Sequence, residues 1–120
     1  MPDQMPDEGD SHEIEEAHVR WVAEQLVDGR TATRLAQTFR VLSDPTRVLI
    51  LSALSHGELC VRHLAEVLGM SHSAISHQLQ HLREIRLVRF HRDGRRVYYT
   101  LDDEHIAALF QQGLAHVRHD

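Results

Sequence analysis

Apolar residues recur at helical spacing along most of this chain, and the breaks in that rhythm divide it into elements. Residues 1–12 lack the rhythm: two prolines, a glycine and many acids predict a disordered acidic tail. From about Glu13, the positions Ile14, Ala17, Val19, Trp21, Val22 and Leu26 predict a first helix that stops near Gly29. Leu35, Ala36, Phe39 and Leu42 predict a second over residues 31–42. In Ser43-Asp44-Pro45, Ser or Asp caps a third helix, and proline takes the first position, where its missing N–H does no harm. Val48, Leu49, Leu51 and Leu54 carry that helix to His56-Gly57.

Two shorter helical segments follow, about residues 61–68 and 73–85, separated by Gly69-Met70-Ser71. Gly69 suits a left-handed helix end and Ser71 an N-cap, which together make a helix-turn-helix pattern. Residues 87–91 and 96–101 then alternate and are rich in Val, Tyr and Thr, flanking Arg92-Asp93-Gly94-Arg95. Asp-Gly between such runs signals a hairpin. Asp102 or Asp103 caps a closing helix over about residues 104–118. The order predicts a mainly α fold with a small β-hairpin, a winged helix-turn-helix occupying residues 13–120 as one domain.

Charge changes the picture only when it is divided. The formal net charge is -5, but residues 1–28 set nine acids against Arg20 alone, a net of -8. Residues 29–120 hold twelve arginines against nine acids, a net of +3, and residues 83–96 alone hold six arginines and two acids. Positive charge is thus concentrated on the hairpin and the helix before it, where a nucleic-acid surface would need it. No apolar run approaches the ~20 residues of a membrane span, and the acidic start is unlike a signal peptide. One cysteine excludes an internal disulfide framework and fits a reducing cytoplasm.

On the second helix of the pair, Ala74, Ile75, Leu79 and Leu82 form the apolar stripe, leaving His72, Ser73, Ser76, His77, Gln78 and Gln80 outward. Short hydrogen-bonding side chains of this kind reach base edges in a major groove, and Ser71 with the helix N-terminus can hold a phosphate. Arg92, Arg95 and Arg96 on the hairpin would contact backbone or enter a minor groove. An ordinary polar helix beside a solvated hairpin is the plainer alternative, but it leaves their ordered succession unexplained.

The closing segment places Asp103 and His105 at one end and His116 and His119 at the other. Eleven helical residues return His116 to nearly the face of His105, yet ~16 Å further along the axis at about 1.5 Å per residue. Zinc ligands lie ~2 Å from the ion, so one helix cannot close around it. Two antiparallel copies can: the start of one helix meets the end of its partner, twice in a two-fold homodimer. Three imidazoles and a carboxylate make a closed tetrahedral set suited to zinc or cobalt, with no open position for catalysis. With 11 histidines in the chain, dipole-favoured histidines and a capping aspartate remain the alternative.

These residues together resemble the ArsR/SmtB metal-sensing repressors, and within them the SmtB-type zinc sensors, over residues 33–119. The resemblance is carried by Leu42-Ser43-Asp44-Pro45-Thr46-Arg47, Glu58-Leu59-Cys60-Val61, Ser71 to Leu79, Gly94-Arg95-Arg96-Val97-Tyr98-Tyr99 and the Asp-x-His…His-x-x-His of the last helix. It implies a homodimer that binds operator DNA without metal and is weakened by zinc at Asp103, His105, His116 and His119. It also implies that the second ring nitrogen of His116 links the metal to the end of the reading helix near Arg86. A second family site implies Cys60 and His63 as ligands, with His12 and His18 lent by a partner's N-terminal arm; one thiol departs from the thiolate-rich versions. A winged-helix regulator sensing a non-metal signal is the runner-up. An enzyme is disfavoured, because no phosphate loop, paired nucleophile or open metal position is present. A bare dimerisation module would leave the arginine hairpin without a purpose.

Overall fold

A computed structural model describes residues 8–119, and the chain divides into two compact units, residues 1–34 and 35–120. The first unit holds α1 (Glu8–Gln25) and the opening of α2 (Gly29–Val41). Helix α1 begins at Glu8 rather than near Glu13, so residues 8–12 of the expected tail are helical; residues 1–7 lie outside the described residues. His12 Nε2 lies 3.0 Å from Glu16 Oε1, an i,i+4 pair of the kind that supports an exposed helix. Gly29 starts α2 instead of stopping α1. The cause is Asp28, whose Oδ1 accepts the Thr31 N–H at 2.7 Å and so satisfies a donor that a helix start leaves orphaned. Those Thr31 bonds hold the Asp28 carboxyl below its ordinary pKa.

The second unit runs from the end of α2 through α3 (Pro45–Leu54), β1 (Leu59–Cys60), α4 (Val61–Leu68), α5 (His72–Glu84), β2 (Val88–Asp93), β3 (Arg96–Leu101) and α6 (Glu104–Arg118). Caps decide the boundaries. Asp44, not Ser43, accepts the Arg47 N–H, at 3.0 Å, with Pro45 in the first turn. Gly69 closes α4 at φ +65, a left-handed conformation that glycine adopts without a Cβ penalty. Ser71 accepts the Ala74 N–H at 3.1 Å and opens α5. Asp103, not Asp102, accepts the Ile106 N–H at 3.1 Å and opens α6.

Helix α5 ends without glycine. Arg86 takes φ +61, while the Leu87 N–H reaches the Leu82 carbonyl at 2.9 Å and the Arg86 N–H reaches Arg83 at 3.0 Å. This pair of bonds is a Schellman closure, here with arginine in the left-handed position. Buried leucines on both sides hold it: Leu82 and Leu87 are at most 1% exposed.

The sheet has three antiparallel strands in the order β1-β3-β2. The expected hairpin is present, with Phe90 opposite Tyr99 and Asp93 opposite Arg96. Its loop shrinks to Gly94-Arg95, because Arg92 and Asp93 are already paired, and Gly94 at φ +64 supplies the positive dihedral that a two-residue turn needs. Strand β1 is the one element absent from the sequence expectation. Two residues show no alternation, and only the pairing of Leu59 with Tyr99 and Cys60 with Tyr98 makes them a strand.

Ile50, Leu51, Leu54, Leu64, Ile75, Leu79, Leu82, Leu87 and Val88 form the core between α3, α4, α5 and the sheet. Each fully buried side chain of this size contributes ~1.5–3 kcal/mol through apolar area removed from water. No residue of α2 or α6 is buried: Phe39 is 52% exposed and Val117 73%. A groove of about 420 Å³ runs between α3 and α6, lined by Leu49, Leu109, Phe110, Leu114 and Val117 among others. Among the described residues, no helix is long and apolar enough to cross a membrane.

Candidate DNA interface and metal-ligating helix

Helix α5 is anchored by Ile75, Leu79 and Leu82, each at 0% exposure, and this fixes its rotation about its axis. His72, Ser73, Ser76, His77 and Gln80 then face solvent, as the apolar pattern requires, while Ala74 is only half-buried. The His77 and His81 rings meet edge to face with centroids 4.8 Å apart. Gln78 departs from the outward set. It is half-buried, and its Oε1 accepts the Arg47 Nε–H of α3 at 2.7 Å.

The hairpin carries Arg92, Arg95 and Arg96 exposed at its tip. Its base is tied to α5 by the Arg83 guanidinium, which sits 4.6 Å from the Phe90 ring centroid, a favourable cation–π placement. Phe90 in turn packs on Tyr99 across the strands, with centroids 5.8 Å apart. On the other face, His91 Nε2 lies 2.6 Å from Glu58 Oε2, and its ring stacks on Tyr98. The bond to Glu58 holds the His91 pKa above its ordinary value, with Asp93 adding to it.

A raised folded-state pKa stabilises the tie below the unfolded value, ~6.5 for histidine, and the tie is lost as pH rises through the higher folded value. The His91 ring is therefore expected to titrate above the ordinary histidine value of ~6.5 by NMR. Glu58→Gln should bring its midpoint down; an unchanged midpoint would show that Glu58 does not set it.

At the closing helix, Asp103 serves two neighbours. One carboxylate oxygen caps α6, and the other lies 3.6 Å from His105 Nδ1. The Ile106 N–H, with His105 beside it, holds the Asp103 carboxyl below its ordinary range. The His105 side chain is 94% exposed and the Asp103 side chain 50%, so both project into solvent. His116 and His119 stand exposed at the far end, where His119 leaves the helix as its C-cap. His119 stands fourteen positions beyond His105, about 21 Å along the axis at 1.5 Å per residue. Among the described residues, no three His, Cys, Asp or Glu side chains of one chain converge on a point that could hold an ion.

The second candidate set is placed as follows. Cys60 is buried at 7% exposure, at the start of α4, and His63 is half-buried one turn on. His12 and His18 lie on α1 in the other unit, where His12 faces Glu16 and His18 stacks on Trp21. The contacts of Arg47, Glu58 and Arg83 had no signal in the local pattern, since their partners lie 31 and 33 residues away or across a helix–strand junction.

A family model described as bacterial regulatory protein, arsR family, matches residues 44–89, from the cap of α3 to β2. The chain is 42% identical over 100 residues to the transcriptional repressor SmtB homolog of Synechocystis sp., covering 83% of this chain and 76% of that one. It is also 42% identical over 93 residues to the HTH-type transcriptional regulator NmtR of Mycobacterium tuberculosis, covering 78% of each. Among solved structures, apo-NmtR superposes with a TM-score of 0.69 at 41% identity over 79% of this chain and 80% of that one. A homodimeric winged helix-turn-helix DNA-binding domain from Mycobacterium bovis gives 0.70 at 30% identity, covering 80% and 94%. The exposed polar face of α5, its arginine hairpin and this likeness along most of the chain lead to one assignment: the chain belongs to the ArsR/SmtB family of winged helix-turn-helix DNA-binding transcriptional regulators.

Proposed function

We propose that the protein is a zinc-responsive transcriptional repressor, a homodimer that holds operator DNA when metal-free and loosens it when Asp103, His105, His116 and His119 take up zinc. The observation that carries this reading is Asp103. Its second oxygen stands 3.6 Å from His105 Nδ1 while its first keeps the cap of α6. Two donors each ~2.0–2.1 Å from a tetrahedral ion are about 3.4 Å apart, so this pair fits one zinc without uncapping the helix. Zinc would supply a divalent charge that draws carboxylate and imidazoles into a closed tetrahedral set. His116 and His119 of a second, antiparallel α6 would complete the set, because those of the same helix are too far along its axis.

The uncovered groove between α3 and α6 supports an apolar contact with a second copy at this place. A backbone route to the reading helix also starts here. The Asp102 N–H, next to the ligand Asp103, donates to the Leu87 carbonyl at 3.0 Å, and the Leu87 N–H closes α5. Drawing Asp103 toward a partner helix would therefore pull on the end of the DNA-reading element. Metal-linked relatives agree in kind: the chain is 40% identical over 85 residues to a cadmium resistance transcriptional regulatory protein CadC homolog of Staphylococcus aureus.

The test is an electrophoretic mobility shift on the DNA upstream of the protein's own gene, with zinc, cobalt, nickel and cadmium each added. A shift without metal that zinc reverses is expected. Release by another metal alone would move the specificity, and tighter binding with zinc would reverse the sign of regulation.

A further inference from the structure

We propose that Arg47, which lies outside the reading helix, determines which base Gln78 reads by locking the orientation of its amide. The inference rests on α5 being the element that meets bases, and it adds a residue of α3 to the specificity machinery. Arg47 Nε and Gln78 Oε1 are 2.7 Å apart. Arginine has five N–H donors and no acceptor, so the group facing it must be the amide oxygen. The free end of Gln78 is then its NH2, a double donor. Both side chains leave from well-held backbone. Arg47 is the third residue of α3 and its own N–H is held by Asp44 Oδ2 at 3.0 Å, while Gln78 is flanked on its helix by the buried Ile75 and Leu79. A hydrogen bond from a charged donor is also roughly twice as strong as a neutral one.

A free glutamine reads adenine by accepting from N6 and donating to N7 at once. The oxygen keeps a second lone pair, but with it turned toward the guanidinium Gln78 cannot set O and N side by side against N6 and N7, and the end it offers a base is its NH2. That end suits acceptor edges, guanine O6 and N7 or thymine O4. Gln80, two residues on, is exposed and has no side-chain partner among the described residues, so its amide can turn either way.

The experiment is selection from a duplex library randomised across one half-site, using metal-free protein and sequencing the bound fraction. Gln78→Ala maps the base position that Gln78 touches. At that position the unaltered protein should favour guanine or thymine, and Arg47→Met should raise adenine against them by about 5-fold or more, the scale of one bidentate base contact. An unchanged preference in Arg47→Met, or an equal weakening at every position, would overturn the proposal and leave Arg47 as a structural or phosphate-attracting residue. Exchange of the Arg47 Nε–H, followed by NMR in the free protein, is a second reading that does not depend on an Arg47 variant folding. It should be slow in the unaltered chain and fast in Gln78→Ala; equal rates would remove the contact itself. Zinc insensitivity of the same complexes would sink the metal reading and leave this one standing.

Discussion

His116→Ala is expected to bind operator DNA as tightly as the unaltered protein and to keep that grip when zinc is added. His116 is exposed on the last turn of α6, so its truncation should change stability by no more than ~0.5 kcal/mol. What it removes is one of four proposed ligands. Allosteric couplings between a metal and DNA are typically about 1–3 kcal/mol, which is a 5- to 150-fold loss of DNA affinity on zinc addition for the unaltered protein. The variant should lose less than 2-fold. A gel-shift titration at fixed protein with rising zinc measures both. Because coupling is reciprocal, DNA must weaken zinc binding by the same factor, and a chelator competition with and without operator gives an independent value. A variant still released like the parent would exclude His116 from the switch.

Leu79→Ala is expected to cost about 2–5 kcal/mol of folding stability, the range for a buried leucine whose removal leaves a cavity. Leu79 has 0% exposure and sits between Ile75 and Leu82 on the inner face of α5. Total stability of a small domain is ~5–15 kcal/mol, so this one change removes a large share. Urea denaturation at one protein concentration reads the effect, with concentration held constant because the stability of the proposed dimer would depend on it. A loss below 1 kcal/mol would mean that α5 is seated by other contacts. Exposed Ser76→Ala, on the same helix, should cost less than ~0.5 kcal/mol, which separates packing from reading.

Most helix boundaries in the second unit were legible because a stop or a start is written beside them. Gly69, Ser71 and the alternatives at Ser43-Asp44 and Asp102-Asp103 mark places where a backbone donor or a left-handed residue is needed, whatever surrounds them. Where two residues could cap, only the fold chose. Asp44 and Asp103 hold the bonds because their oxygens reach N–H groups three residues on. Gly29 misled as a helix stop, since Asp28 turns the same place into a start. The loop tip was read too wide, because Asp-Gly signals a turn without saying that Arg92 and Asp93 are still paired.

The sequence by itself determined the element order, the inner face of α5, the arginine hairpin and the four candidate ligands with their distance along one helix. Those follow from period, cap and turn chemistry, which act over a few residues. Only the tertiary structure decided that Leu59-Cys60 is a strand, that Glu58 ties His91, and that Arg47 takes the oxygen of Gln78. Each of these joins residues some 30 or more positions apart, where no local periodicity acts. The proposed site on α6 draws on both: spacing brought out its candidate residues, and Asp103, with one oxygen on the cap and one beside His105, stands where a single carboxylate could serve helix and metal together.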